Sequence, residues 1–240
     1  MSKTNHLIYP TTNFKAIEQI NIARGEGCYV WDDKGNKYLE GMAGLWCTAL
    51  GYGNQELIDT AAEQMKTLTF SHMFGGKTHP VAIELADTLA EMIPMQDAIL
   101  SFGSSGSDAN DTHIKLLRYY HEAIGKPERR KIIARERSYH GVTVAASSLT
   151  GLPVTQKHFD LPVDALGILR TDHPHYYRGR QGNETEAEFV ERIVGNLEKM
   201  ILSEGPETIA AFIAEPITGA SGVIVPPPGY YEKVQALLNK

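Results

Sequence analysis

The sequence predicts an α/β protein in which a mostly parallel sheet is flanked by helices. Three short apolar runs alternate along the chain with helical stretches: residues 98–102, 131–135 and 208–214. Such continuous runs are typical of strands buried on both faces, and strands that alternate with helices favour a parallel sheet. The clearest helix spans residues 186–202, where the capping-box pattern of Thr185 and Glu188 precedes a continuous apolar stripe.

The first third of the chain predicts smaller elements. Residues 1–25 are polar and predict an irregular arm, and residues 28–40 predict a hairpin around the turn Asp33–Asn36. Asn54 is a suitable N-cap for a helix with apolar residues at helical spacing. A second helix is predicted after His79 and Pro80, because the apolar residues that follow lie on one face at helical spacing: Val81, Leu85, Leu89 and Met92.

Length and composition narrow the class of protein. With 240 residues, of which 42% are hydrophobic, the chain can bury a core. Its net charge of −6, without a basic block, argues against nucleic acid as a partner. Two cysteines, Cys28 and Cys47, are too few for a disulfide framework and fit a reducing compartment. The first residues lack the apolar core of a signal peptide, and no run reaches membrane-spanning length. The sequence therefore predicts a cytoplasmic protein without a membrane partner.

A turn rich in glycine and serine is the first candidate site. The stretch SFGSSGSDAND, residues 101–111, follows an apolar run and precedes a predicted helix. The N-terminus of a helix can bind phosphate through its unpaired N–H groups. Gly106 would let the backbone approach an anion closely, and Ser107 would add a hydroxyl or act as the N-cap. The alternative interpretation is a flexible connector.

Two further candidate sites follow predicted strands. Tyr139, after the run 131–135, could lay its ring on a flat ligand with His140 beside it, or it could be a half-buried loop tyrosine. Glu215 follows the run 208–214 and could face the same edge of the sheet, or it could be a solvated loop carboxylate. The histidine pair in DHPH, residues 172–175, lies in a predicted surface loop without a matching cluster, so a solvated loop is predicted and no metal enzyme. The alternative interpretation is a weak metal site at the surface.

These motifs together resemble the class III aminotransferases, which are pyridoxal-phosphate enzymes of fold type I. The stretches SSGSDAND, YHG and IAEPITGASGVIVPPPGYY carry the resemblance in the second half of the chain. RGEGCYVWDDKGNKYLEGMAGLWC, GYG and THP carry it in the first half, so that it runs from about residue 20 to the end. MAGLW is similar to the omega-transaminase branch that uses amines or β-alanine with pyruvate.

The resemblance implies a role for each candidate residue. Ser105, Gly106 and Ser107 match the family's phosphate-binding turn. Tyr139 matches the aromatic residue that stacks on the pyridine ring, with His140 as its neighbour, and Glu215 matches the acid beside the cofactor. Trp46 matches an aromatic residue of the substrate pocket. Asp108 stands where the family usually has glutamate, which puts a contact at the helix start in doubt.

The resemblance also implies parts that these 240 residues lack. The catalytic lysine, which forms a Schiff base with the cofactor, and the acid that protonates the pyridine nitrogen are expected beyond Lys240. Lys115 and Lys131 are interpreted as surface residues. Residues 1–72 are then an N-terminal arm and small-domain segment, and residues 73–240 an incomplete cofactor-binding large domain.

Three functions are consistent with the sequence. The first is a transaminase that uses pyridoxal phosphate to move an amino group from an amine or amino acid to a keto acid such as pyruvate, as a homodimer or higher homo-oligomer. This chain alone is then expected to be inactive. The second is a non-catalytic shortened relative that binds or dimerises. The third is an unrelated α/β protein that binds a phosphate ligand.

Overall fold

The computed structural model describes residues 6–13 and 15–240 and divides into two compact units, Met1–Ile99 and Leu100–Lys240. The predicted division into residues 1–72 and 73–240 stays a prediction, because contacts define compact units and do not identify a family's domains.

The first unit contains a three-stranded antiparallel sheet in the order β1-β2-β3. Its strands are β1 (Ile22–Glu26), β2 (Tyr29–Asp32) and β3 (Lys37–Leu39). The pairing of β2 with β3 confirms the predicted hairpin. The predicted irregular arm is wrong at its end, because β1 pairs with β2. Residues 1–5 and 14 of that arm lie outside the described residues.

A single carboxylate closes the turn of this hairpin. Asp32 accepts hydrogen bonds from the backbone amides of Lys34 and Asn36, at 3.0 and 2.8 Å, and from the hydroxyl of Tyr38 at 2.9 Å. These bonds, of which those from Asn36 contribute most, lower the pKa of Asp32 to about 2. The turn is therefore held by its own local sequence.

Two regular helices of the first unit begin where the sequence predicts them. In α2 (Gln55–Thr67), Asn54 caps the helix by accepting the amide of Leu57 at 3.2 Å. In α3 (Pro80–Met92), the ring of His79 accepts the amide of Ala82 at 3.3 Å. The short α1 (Ala43–Trp46) differs from both, because it is a left-handed turn in which φ is positive at all four residues.

The second unit contains a parallel sheet in the order β5-β4-β6. Its strands are β4 (Lys131–Arg135), β5 (Ile168–Thr171) and β6 (Ile209–Ile213). Two of the predicted strands are thereby confirmed. The strand predicted at 98–102 is wrong: none of the described residues pairs with it, and Ile99 is 97% exposed. The unpredicted β5 is only four residues long and contains an arginine, so its sequence has no apolar run.

Helices cover both faces of this sheet. They are α4 (Gly106–Ala123), α5 (Val144–Leu149), α6 (Tyr176–Gly179), α7 (Glu186–Glu204) and α8 (Tyr230–Asn239). Ile133 packs against α7 and α8, whereas its neighbour Ile132 packs against Ile114 of α4 and Leu149 of α5. Successive residues of a strand point to opposite faces, so the unit has three layers. The predicted capping box of α7 is confirmed.

The loops that follow β4 and β6 leave the sheet at the same edge, because the two strands are parallel and Ala134 is in register with Ile213.

In the part of the chain that the structure describes, no helix is both long and apolar enough to cross a membrane. Among those residues there is also no cluster of three or more histidine, cysteine, aspartate or glutamate side chains that could hold a metal ion.

Candidate cofactor site

The start of α4 is capped by its own side chains. Ser105 is the N-cap, and its hydroxyl accepts the amide of Asp108 at 3.1 Å. The carboxylate of Asp108 in turn accepts the amide of Ser104 at 3.0 Å. The N-cap is thus Ser105 rather than Ser107. The shorter acid at position 108 still makes a helix-start contact.

The next two residues present free polar groups. The first helical bond runs from the amide of Ala109 to the carbonyl of Ser105, at 3.0 Å. The amides of Gly106 and Ser107 therefore have no acceptor inside the helix. A Cβ at Gly106 would meet no atom within 4 Å, so the space over this backbone is open. An anion placed here would also gain from the positive end of the helix dipole.

Ser107 also connects α4 to the loop that follows β4. Its Oγ accepts the backbone amide of Val142 at 3.0 Å, so its own hydroxyl hydrogen is available to donate to a ligand. Gly141 has a φ of +130°, and a Cβ there would lie 2.5 Å from Oγ of Ser107 and 2.8 Å from Cβ of Ala146. Glycine is therefore required at position 141 for the loop to approach the helix.

The aromatic loop, residues 136–143, carries Tyr139 and His140. The side chain of Tyr139 is 40% exposed, which leaves its ring accessible to a flat ligand. His140 is 7% exposed, its backbone amide donates to Oγ1 of Thr150 at 2.9 Å, and its Nε2 is buried without a partner. Burial, together with the positive charges of Arg135 and Arg170, lowers the pKa of His140 to about 4. His140 is therefore neutral at pH 7.

Glu215 joins the two loops at this edge of the sheet. Its Oε1 accepts the amide of Tyr139 at 2.8 Å, and its Oε2 accepts the amide of Gly219 at 2.9 Å. Both carboxylate oxygens are thus held by backbone donors from different loops. Such charge-assisted bonds are shorter and stronger than neutral ones, so Glu215 fixes the backbone that carries the Tyr139 ring.

A buried arginine supports Glu215 from inside the unit. Arg135, at the end of β4, is fully buried and donates to the hydroxyl of Tyr231 at 3.0 Å and to Oγ1 of Thr218 at 3.4 Å. It also donates to the backbone carbonyl of Glu215. Arg135 is not among the residues predicted from the sequence, although a charged residue that ends an apolar strand is a signal of a buried functional group.

The structure brings together the six candidate residues of the second unit: Ser105, Gly106, Ser107, Tyr139, His140 and Glu215. Their connected hydrogen bonds join a helix N-terminus to an exposed aromatic ring and a fixed carboxylate. These features fit a ligand with a phosphate and a flat ring. The specific contacts of each residue with a cofactor stay predictions.

Trp46 lies in the first unit, on the left-handed turn α1. It is 69% exposed and borders a depression of about 430 Å³ together with Tyr52, Leu57 and Ile58. A large exposed aromatic residue beside a depression can contact a small molecule. Its predicted role in the substrate pocket stays a prediction.

Solved structures of transaminases share this fold. The omega transaminase from Pseudomonas jessenii in complex with PMP superposes with a TM-score of 0.95 at 49% identity, over 98% of this chain and 52% of that one. A structure described as a transaminase with L-Ala superposes with a TM-score of 0.89 at 50% identity, over 92% of this chain and 51% of that one. These matches confirm the predicted fold class, fold type I.

Curated relatives are similar over almost the whole chain. Gamma-aminobutyrate transaminase 1 from Oryza sativa subsp. japonica is 49% identical over 225 residues, which cover 93% of this chain and 43% of the relative. Gamma aminobutyrate transaminase 3 from Solanum lycopersicum has the same identity and the same coverage. The chain thus spans less than half the length of these curated relatives.

The prediction of a cytoplasmic location is wrong in the light of these relatives. The rice protein is named mitochondrial and the tomato protein chloroplastic. Charge and cysteine content are properties of the folded part of a protein, whereas entry into an organelle depends on a presequence that is later removed. The composition of the folded part was therefore not evidence of the compartment.

The family itself is established by a match over nearly the full sequence. The model of the family described as "Aminotransferase class-III" matches residues 11–240. This range contains the capped start of α4, the aromatic loop and Glu215. The chain belongs to the class-III aminotransferase family.

Proposed function

We propose that the protein is a transaminase that transfers an amino group from an amine or amino acid to a keto acid such as pyruvate, with pyridoxal phosphate as its cofactor. The observation that carries this proposal is the hydrogen bond from the Val142 amide to Oγ of Ser107, which joins the start of α4 and its free amides to the loop that carries the exposed ring of Tyr139. It matches the two parts of the cofactor, an anionic phosphate and a flat ring. The names of the similar proteins, which include gamma-aminobutyrate and omega transaminases, support the same reaction.

Each residue of the site has a distinct task in this proposal. The amides of Gly106 and Ser107 and the hydroxyl of Ser107 bind the phosphate, while Ser105 caps the helix. The ring of Tyr139 stacks on the cofactor ring and excludes water from that face. Pyridoxal phosphate, when bound, supplies an electron sink that stabilises negative charge on the substrate carbon. Glu215 holds the stacking loop through the Tyr139 amide.

His140 is proposed to contribute a buried, uncharged imidazole next to the site. Its low pKa means that it adds no positive charge beside the ring at pH 7. The Trp46 side chain limits the size of the substrate in this proposal. A homodimer or higher homo-oligomer is part of the proposal, on the resemblance to the family.

The lysine that bonds covalently to the cofactor is proposed to lie beyond Lys240. No lysine occurs in the aromatic loop or in residues 214–219. Lys131 begins β4, at the opposite end of the strand from the site, and its Nζ is bound to the carboxylate of Glu204 at 2.8 Å. Lys115 lies in the middle of α4. Neither is placed to reach a ligand at the carboxyl edge of the sheet.

Borohydride reduction in the presence of pyridoxal phosphate, followed by peptide mapping, tests this proposal. We expect a protein extended beyond residue 240 to be labelled at one lysine of the extension and to transaminate. The 240-residue chain is expected to show neither property. Labelling of a single lysine within residues 1–240, with turnover, would contradict the placement of the lysine. An extended protein that binds the cofactor without turnover would favour a non-catalytic relative. Failure of the extended protein to bind the cofactor at all would contradict the proposed function.

A further inference from the structure

Three side chains on one face of α4 bond to the aromatic loop. Oγ of Ser107 accepts the amide of Val142, as described above. The side-chain amide of Asn110 donates to the backbone carbonyl of His140 at 2.7 Å. One oxygen of Asp111, Oδ1, accepts both the hydroxyl of Thr143 at 2.8 Å and the amide of Ala146 at 3.0 Å. The three side chains are spaced i, i+3 and i+4, which places them on one side of the helix.

We infer that Asn110 and Asp111 are positioning residues. Their bonds fix the distance between the aromatic loop, which carries the Tyr139 ring, and the proposed phosphate-binding amides at the start of α4. These two residues together form a clamp on the loop. This inference rests on the proposed function, because it concerns the same site. The two side chains bond to the aromatic loop and to the start of α5.

The need for such a clamp follows from the shape of the ligand. The phosphate and the ring belong to one small molecule, so the helix N-terminus and the aromatic ring must be the correct distance apart at the same time. A loop that is ordered before binding avoids the entropy cost of being ordered by the ligand. The aromatic loop has no regular secondary structure between β4 and α5, so bonds from neighbouring segments order it. The bonds from α4 act on its second half, beside the bond from Glu215 to the Tyr139 amide.

The two residues bond in chemically different ways. Asn110 is required as a donor, because its partner is a carbonyl oxygen. Asp111 is required as an acceptor, and a single oxygen makes both of its bonds. Asp111→Asn therefore keeps the acceptor and removes only the charge, whereas Asp111→Ala removes both bonds. Asn110→Asp keeps the shape but places a carboxylate against the carbonyl of His140.

Two ligands distinguish an effect on the position of the aromatic loop from an effect on the phosphate-binding amides. Dissociation constants for pyridoxal phosphate and for inorganic phosphate are measured by calorimetry on the protein extended beyond residue 240 and on its variants, together with the melting temperature. For Asn110→Asp and Asp111→Ala we expect at least a tenfold loss of affinity for pyridoxal phosphate. Affinity for inorganic phosphate should change less than threefold, because the amides of Gly106 and Ser107 remain. The circular dichroism of the bound cofactor should also change, since it reports the orientation of the ring.

Matched variants control for a general loss of structure. Asp111→Asn should stay within threefold of the wild type for both ligands. Asn196→Asp removes an amide donor from another surface bond, the one to Asp172, and should leave both affinities unchanged. If the wild type binds pyridoxal phosphate and both Asn110→Asp and Asp111→Ala bind it equally well, the inference is overturned. Equal losses for both ligands, in parallel with the melting temperature, overturn it too. A wild type that fails to bind pyridoxal phosphate overturns the proposed function, and the inference with it.

Discussion

The backbone amide of Tyr139 donates a hydrogen bond to Oε1 of Glu215, 2.8 Å away, across 76 positions of sequence. This bond joins the loop after β4 to the loop after β6. Oε2 of the same carboxylate accepts the amide of Gly219, so the side chain cannot turn away without losing two charge-assisted bonds. The carboxylate of Glu215 therefore fixes the backbone that carries the exposed ring of Tyr139.

A negative charge at position 107 should prevent phosphate binding. Ser107→Asp would place a carboxylate beside the amides that are proposed to bind the phosphate, and like charges in close contact cost several kcal/mol. We expect affinity for pyridoxal phosphate to fall at least a hundredfold in a fluorescence titration, and Ser107→Ala to lose much less. Asn183→Asp adds the same charge on an exposed loop and serves as the control. Unchanged affinity in Ser107→Asp would remove Gly106 and Ser107 from the site.

The ring of Tyr139 should matter more than its hydroxyl. Ring stacking contributes about 0.5–1.5 kcal/mol beyond the buried area, and phenylalanine keeps it. Tyr139→Ala should therefore weaken cofactor binding and shift the cofactor's absorbance, while Tyr139→Phe stays close to the wild type. Both variants keep the backbone amide of residue 139 that bonds to Glu215, so they differ only in the side chain. If the two variants bind equally well, the stacking role is wrong.

Replacement of Trp46 should change substrate preference. We expect Trp46→Ala and Trp46→Gly, made in a catalytically complete protein, to raise kcat/KM for bulky amines relative to small ones. The physical reason is that a large exposed side chain is removed from the border of a depression. Melting temperatures are measured alongside. A parallel loss of activity with both substrates and of stability would identify Trp46 as a packing residue instead.

Because His140 is buried in its neutral form, the protein should lose stability in mild acid. Its pKa is about 4 in the folded protein and about 6.5 when unperturbed, so the unfolded chain takes up the proton first. The free energy of unfolding should therefore fall as the pH drops from about 6.5 to 4, by up to about 1.4 kcal/mol per pH unit. Urea unfolding at pH 7 and pH 5 measures this difference.

The matched variant for this measurement is His140→Gln, which cannot titrate. It should lose less stability between pH 7 and pH 5 than the wild type does. The comparison with the wild type is needed because the pKa values of His173 and His175 are also lowered, mainly by burial. An identical pH dependence in the two proteins would show that His140 is not buried in its neutral form.

The sequence by itself determined the elements that depend on neighbouring residues. The hairpin turn is closed by Asp32 with residues two to six positions later, and α7 is capped by Thr185 and Glu188. The apolar runs that became β4 and β6 contribute side chains to the clusters on both faces of the sheet, so their composition alone identified them. The free amides at the start of α4 were predictable from the local sequence too, because a helix N-terminus creates them wherever it occurs.

The tertiary structure alone decided which segments pair and which side chains meet. Residues 98–102 have the composition of a strand but remain unpaired, whereas β1 is a strand because β2 lies beside it. The bonds from Asn110 to His140 and from Arg135 to the Glu215 loop join residues 30 and 80 positions apart. Local patterns do not contain such bonds, because a backbone or side-chain group acquires its partner only when packing brings distant segments of the chain together.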